Sequence, residues 1–358
     1  MRRAFHRICR ALALCLVSIG AFILAKGYSE TVTRVYQPIS RQLCALLGKA
    51  TAFTDRSVME ILLCVLVLCV ASGLVTCVVR LFHGSEGRKR ALELFSHMTM
   101  LLSMIFALFV FVWGINYCAD SLEKQMGLSE YQVTQEALEA AYDACIDAAN
   151  EECRNVDRTK LSNFDAMADL VQDASAAWAG QNLEGAAAVP RVKRIAAADF
   201  MLQTGYVGVF CPITGECNVN PKTYPSELPV TMAHETAHAL ASAPEDETGF
   251  LAFLICRAAP QSELRYSAYF EALAHLGNAL YAVDPAAHAR ISAKMSDELR
   301  ADLQRENAYY AAYDGELEET MQRLDDAYLK GMGQQSGVQS YSEAARLLTK
   351  LYLRDGRL

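Results

Sequence analysis

Hydrophobic residues form three uncharged runs in the first third of the chain, at residues 11–25, 61–79 and 98–118. About 20 apolar residues in a helix span a bilayer, so the second and third runs predict transmembrane helices. Buried helices of a soluble domain are the alternative, but these runs leave no polar face for water. The first run follows a cationic start that also suits a signal peptide, and we favour an uncleaved anchor.

Beyond residue 118 the hydrophobic pattern changes to amphipathic helical spacing. One interruption, at residues 205–210, combines β-prone residues with two glycines and runs into a turn, which predicts a short strand or hairpin. The pattern therefore predicts a mainly α fold, with a membrane region of three transmembrane helices at residues 1–118 and a mostly helical domain at 119–358. The helical segments are predicted at residues 122–149, 167–178, 264–283, 291–313, 317–329 and 341–352.

Charge divides the chain in the same place. The whole sequence of 358 residues has a net charge of −8, yet residues 1–116 carry 13 Lys and Arg against 5 Asp and Glu. The remaining part is strongly acidic, with 36 Asp and Glu against 20 Lys and Arg. An acidic large domain cannot neutralise a stripe of phosphates, so nucleic acid is excluded as a partner.

The basic residues near the spans predict an orientation. Arginines crowd the N-terminus, and Arg80, Arg88, Lys89 and Arg90 lie in the short loop between the second and third spans. By the positive-inside rule both segments stay in the cytoplasm, which makes this a multi-pass cell-membrane protein with an extracytoplasmic C-terminal domain. The loop between the first two spans is basic as well and argues in the opposite direction.

Cysteines in an oxidising exterior can pair. Cys211 and Cys217 flank a turn, and Cys145 and Cys153 are eight residues apart, so either pair could be a disulfide or two free thiols. The spacing of the cysteines contains no CxxC metal motif.

A metal-binding pattern follows the predicted strand. Pro229 suits the start of a helix that continues to Leu240 and carries His234, Glu235 and His238, in the sequence His-Glu-Thr-Ala-His. Histidines at i and i+4 share one helix face and can bind one Zn²⁺, while the glutamate between them reaches a water molecule. Two solvated or buried histidines beside a surface glutamate are the simpler alternative.

A third ligand is available in the acidic start of the next helix. Glu245 and Glu247 both compete for this role, and two histidines with one glutamate would leave the fourth zinc position open, as catalysis requires. Ser242 and Glu245 also fit a capping box that needs no metal.

The sequence resembles an uncharacterised bacterial family of membrane-anchored HExxH proteins, a domain of unknown function with gluzincin-like zinc metallopeptidase motifs. Three positions depart from the family pattern: Ala241 replaces a glycine, Gly249 an asparagine and Cys217 a small residue. None of them is a proposed ligand, and the gluzincin pattern favours Glu245 over Glu247. The matching segments are residues 214–220, 234–238, 245–247, 265–269, 328–330 and 337–341.

The resemblance implies a zincin-like domain that hydrolyses peptide bonds. Zn²⁺ on His234, His238 and Glu245 would lower the pKa of water toward 7, with Glu235 as general base. A donor for the oxyanion is also needed, and the resemblance points to Tyr266, with Tyr269 and Arg265 as further candidates in the same segment. Two tyrosines that simply pack on a neighbouring helix are the alternative. His275 is expected to be structural.

The expected partners are a polypeptide substrate and membrane lipid. The predicted strand at residues 205–210 could bind an extended substrate through backbone hydrogen bonds. A non-catalytic membrane sensor or scaffold that retains the zinc site is the competing function. An intramembrane protease is disfavoured, because the motif lies more than a hundred residues beyond the last predicted span.

Overall fold

Three long helices in the N-terminal part are apolar enough to cross a membrane. The computed structural model describes residues 1–185, 188–332 and 341–358, so most of the predicted polar loop at 331–339 lies outside the described residues. The candidate spans are α1 (Arg2–Ala25), α4 (Val58–Leu81) and α5 (Gly84–Val112), with mean hydropathies of 2.3, 2.9 and 2.1. Helix α5 packs against both α1 and α4. The length and composition of these helices indicate a membrane protein.

The third span ends earlier along the chain than the uncharged run at residues 98–118 predicts. Helix α5 stops at Val112, and Gly114–Cys118 forms a short 3-10 helix instead. Trp113 separates the two, and its side chain is 4% exposed because it packs into the domain that follows. The prediction of a third apolar helix is confirmed, and only its end differs, at Val112 instead of residue 118.

A helical connector joins α1 to α4 and packs on the domain beyond the spans. It consists of α2 (Ser29–Thr31), a π-helical segment (Val32–Tyr36) and α3 (Gln37–Thr51). Helix α3 contacts α5 and the region around the sheet. Residues before 119 thus contribute to the core of the domain that was predicted to begin there, although the boundary itself stays a prediction.

The rest of the chain is mainly helical, as predicted. Side-chain caps start several of these helices, including Thr134, Asn163, Asp284 and Ser296. Two predicted segments, residues 122–149 and 291–313, are each divided between two helices. The helices are α6 (Leu122–Gln125), α7 (Gln135–Asn155), α8 (Arg158–Leu161), α9 (Phe164–Asn182), α10 (Ala198–Gln203), α11 (Leu228–Ala239), α12 (Glu245–Ala258), α13 (Ser262–Val283), α14 (Pro285–Ser292), α15 (Asp297–Tyr310), α16 (Glu316–Met332) and α17 (Tyr341–Asp355).

A small sheet lies beside α11. Strands β2 (Gly208–Cys211) and β3 (Glu216–Val219) form the predicted hairpin, in which Gly208 pairs with Val219 and Cys211 with Glu216. Strand β1 (Lys193–Arg194) adds to β3 in parallel, giving the order β1-β3-β2 among the described strands. Helix α11 packs against β2, β3, α9, α12 and α13, so it occupies the centre of the domain.

Candidate metal centre

Helix α11 brings the two histidines of the motif onto one face. Pro229 occupies its first turn, where a missing N–H costs nothing. His234 and His238 follow one turn apart, with ring centroids 4.8 Å apart. The side chain of His238 is buried and that of His234 is partly exposed, at 8% and 24%, so of the simpler alternative only the buried-histidine form fits this helix.

A tight turn after α11 redirects the chain toward the histidines. The N–H of Ser242 donates to the Ala237 carbonyl and that of Ala241 to the His238 carbonyl, which is the Schellman pattern. Ala241 adopts a φ of 70°, a left-handed conformation that normally favours glycine. This explains the glycine at this position in the family pattern. The turn places Pro244 so that α12 begins at Glu245, directly beside α11.

Glu245 reaches both histidines. Its Oε2 lies 3.0 Å from Nε2 of His234, and its Oε1 lies 3.5 Å from Nε2 of His238. One ligand atom from each of the three residues falls within 4.8 Å of the others. Ligands of a tetrahedral zinc with bonds near 2.0 Å are separated by about 3.3 Å, so the donor set and its spacing fit this ion.

The orientation of His238 is fixed from three sides. Its Nδ1 lies 2.8 Å from the Ser242 carbonyl, a contact that requires a proton on Nδ1 and leaves Nε2 free to bind a metal. The ring stacks on Phe210 and meets Trp113 edge-on, at centroid distances of 6.3 and 5.8 Å. The Trp113 indole N–H donates to the His238 carbonyl at 3.1 Å.

Glu235 lies buried beside the three candidate ligands. Glu235 is 5% exposed, and its Oε2 has no hydrogen-bond partner among the described residues. A buried, unpaired carboxylate oxygen is costly, so this atom indicates a function that needs it. Burial raises the pKa of Glu235 to about 7, although the charges of His234 and His238 oppose the shift. A pKa near neutrality suits a general base.

The electrostatics of the cluster depend on Glu245. Burial disfavours the imidazolium of His234, but the hydrogen bond and charge of Glu245 outweigh it and raise the pKa of His234 to about 9. Burial acts against the Glu245 carboxylate in the same way, and the nearby histidines overcome it and hold the pKa of Glu245 well below its usual range. The carboxylate is therefore negatively charged near neutral pH, as a metal ligand must be.

Glu247 lies elsewhere. It lines a separate cavity of about 230 Å³ with Gln37, Arg41 and Leu251. Burial and then the charge of Asp246 raise the pKa of Glu247 to about 8, which opposes the charged form that a ligand needs. The capping box is not formed, because α12 has Pro244 at its N-cap and no side-chain cap.

The segment that suggested an oxyanion donor has other contacts. Tyr266 donates to Asp302 at 2.6 Å and Tyr269 to the Leu358 carbonyl at 3.0 Å. Arg265 forms an ion pair with Glu152 at 2.6 Å. A catalytic role for Tyr266 stays a prediction, and these contacts favour the alternative of structural packing. His275 lies 3.4 Å from Glu271 on its own helix, in keeping with a structural role.

The cysteines are free thiols in the part of the chain that the structure describes. Cys217 is fully buried and donates to the Glu235 carbonyl at 3.2 Å, while Cys145 donates to the Tyr269 carbonyl at 3.7 Å. Neither of the two pairings that the sequence left open is formed.

Helix α16 passes near the cluster, which the sequence did not indicate. Gly205 lies against Glu318, and the Tyr328 hydroxyl is 3.4 Å from that of Tyr117. Burial raises the pKa of Asp325 and the charge of Glu245 raises it further, which places this part of α16 near the metal ligands. The amphipathic pattern of 317–329 predicted the helix but not where it packs.

Gly208 gives a test of the Glu235 position. A Cβ on this residue would lie 2.3 Å from Oε1 of Glu235, so Gly208→Ala must displace the carboxylate. If the cluster binds zinc and hydrolyses a substrate, we expect a loss of hydrolysis of about 100-fold with zinc retained, measured by kinetics and metal analysis. The neighbouring Val209→Ala, on the opposite face of β2, serves as control and should keep its activity. Equal losses in both variants would contradict the proposed geometry.

Residues 32–349 match the family DUF3810, described as a protein of unknown function. The chain belongs to the DUF3810 family. This match covers most of the sequence, including α3, the sheet and the candidate metal centre. No curated protein and no solved structure matches the chain.

Proposed function

We propose that this DUF3810 protein is a membrane-anchored zinc metallopeptidase. The observation that carries the proposal is the convergence of His234, His238 and Glu245 beside a buried Glu235 with an unpaired carboxylate oxygen. A zinc ion held by the first three would act as a Lewis acid toward a peptide carbonyl and make a water molecule more acidic.

The chain's own residues supply the rest of the chemistry. Glu235 accepts the proton of the attacking water and transfers it to the leaving amine. The contacts of His238 with the Ser242 carbonyl and Trp113 hold its ring in place before a ligand arrives. Trp113 and Phe210 exclude water from one side of the histidine pair.

An extended polypeptide is the substrate that fits the sheet. Strand β2 is an edge strand among the described strands, and its Gly208 touches Glu235. A substrate strand that pairs with β2 would therefore bring a backbone carbonyl to the cluster without any requirement for a particular side chain. This favours unfolded or flexible segments.

The experiment that tests the function uses the purified full-length protein. It should contain one zinc per chain and cleave a library of unstructured peptides, and a chelator should remove both the metal and the activity until zinc is restored. Cleavage that persists after the metal has been removed would contradict a metallopeptidase.

We further propose that the domain beyond α5 is extracytoplasmic. Lys89 follows the short turn between α4 and α5, whereas Lys222 lies near α10, and their side chains are similarly exposed at 51% and 48%. An impermeant amine reagent applied to intact cells should modify Lys222 and not Lys89, as read by mass spectrometry. Modification of Lys89 alone would place the cluster in the cytoplasm.

A further inference from the structure

The candidate metal centre is attached to the end of one span. Trp113 is the first residue after α5, and its ring lies 5.8 Å from that of His238. Trp113 contacts both Phe109, in the last turn of the span, and the proposed zinc ligand His238. The cluster cannot move away from the bilayer unless this contact between Trp113 and His238 breaks.

A second span holds the sheet in the same way. The N–H groups of Val58 and Met59, in the first turn of α4, donate to Glu216 of β3 at 3.0 and 2.7 Å. Glu60 accepts in turn from the N–H groups of Ala196 and Ala197. The uncharged run 61–79 is about 28 Å long as a helix, close to the thickness of the hydrocarbon core. The sheet therefore meets α4 where that span leaves the lipid.

Helix α3 has one face on the domain and one face open. On the inner face, Gln37 donates to the Ala241 carbonyl at 3.1 Å, and Gly48 packs on the backbone of Gly215. The outer face is an apolar stripe at helical spacing, formed with the π-helical segment before it. Its members and their exposed fractions are Val35 (54%), Ile39 (51%), Leu43 (36%) and Leu46 (63%).

We propose that α3 lies in the bilayer interface with this stripe in the lipid, that the metal centre opens at the membrane surface, and that the substrate is a polypeptide tethered to the same membrane. Helix α3 contacts the third span, α5. Arg34, which also pairs with Glu30, and Lys49 lie at the two ends of the stripe, where cationic side chains suit lipid phosphates. The substrate part of this inference rests on the proposed peptidase function.

A metal centre at the bilayer surface favours substrates that are tethered to the same membrane. Residues close to a membrane anchor are confined near the bilayer surface, at a high effective concentration for a site located there. A segment far from its anchor, or a soluble peptide, gains little from this confinement. The juxtamembrane part of a membrane protein is thus the chemical class of substrate that the position of the cluster selects.

One experiment tests the substrate with the full-length protein in lipid vesicles. The probe is a lipid-anchored polypeptide with four identical cleavable segments at increasing distances from the anchor. The segment nearest the anchor should be cut at least about tenfold more than the farthest, and excess detergent should abolish this preference. Even cutting in vesicles would overturn the tethered substrate and leave the peptidase function standing. No cutting in vesicles, in detergent or of soluble peptide would remove both.

A second experiment locates α3 without using activity. Leu46→Trp in a Trp178→Phe background adds one tryptophan to the stripe, and the background protein alone measures the signal of the remaining Trp113. Lipids brominated near the glycerol end should reduce the fluorescence of the added tryptophan about twofold or more. Tyr281→Trp in the same background is the control, since Tyr281 is 59% exposed at the end of α13, and it should not be quenched. An unquenched Leu46→Trp would overturn the interfacial position, including the case in which a second copy covers the stripe.

Discussion

The Glu235→Gln variant should keep its zinc and its fold while peptide hydrolysis falls by about two to four orders of magnitude. Glu235 is close to the cluster but is not one of the three residues whose ligand atoms converge. Glutamine preserves the shape of the side chain and cannot accept the proton of the attacking water. Metal analysis and kinetics on the same preparation measure both effects.

Glu227→Gln is the matched control for this variant. Glu227 lies at the N-cap of the same helix, and burial raises its pKa to about 7 as well. Its carboxylate accepts from the Tyr310 hydroxyl and does not belong to the cluster. This variant should retain its activity. If wild-type protein holds zinc yet cleaves no peptide, and Glu235→Gln behaves identically in cells, the chain is a non-catalytic sensor or scaffold.

The Glu245→Gln variant should lose zinc, with an affinity lower by about 100-fold or more, because it loses a charged primary ligand. Glu245 lies within 3.5 Å of both histidines, whereas Glu247 lines another cavity. Glu247→Gln differs by only two positions on the same helix and should bind zinc as the wild type does. Competition with a chromogenic chelator measures both affinities.

The reverse outcome has a clear structural meaning. If Glu247→Gln loses zinc and Glu245→Gln retains it, the first turn of α12 lies differently relative to the two histidines than it does in this structure. The Schellman turn at Ala241 sets the position of Glu245 relative to His234, so α11 would then have to end in a different turn.

The sequence predicted those parts of the site that depend on local spacing. His234 and His238 need only a helix to share a face, and Glu245 needs only a turn of a few residues after it. The hairpin beside α11 could be predicted for the same reason, because only four residues join its two strands. The mainly α fold and the three apolar N-terminal helices followed from periodicity alone.

Contacts between distant segments could not be predicted. Trp113 and His238 are separated by 125 positions, and the hydrophobic run that contains Trp113 resembles the end of an ordinary span. Strand β1 has only two residues and pairs with a strand more than twenty positions later. Helix α16 was recognised as amphipathic, but nothing in its pattern indicated that it would lie near Glu245.

The ion pair between Lys193 and Glu216 links assembly of the site to the second span. Glu216 is 1% exposed and is neutralised by Lys193 at 2.6 Å, while its remaining hydrogen bonds come from the first turn of α4. Each hydrogen bond to a charged group contributes about 1.5–3 kcal/mol, so β3 is less stable before α4 is in position. Strand β2 pairs with β3 and carries Gly208 to Glu235. We therefore expect the arrangement around Glu235 to form completely only when the second span is in place against the sheet.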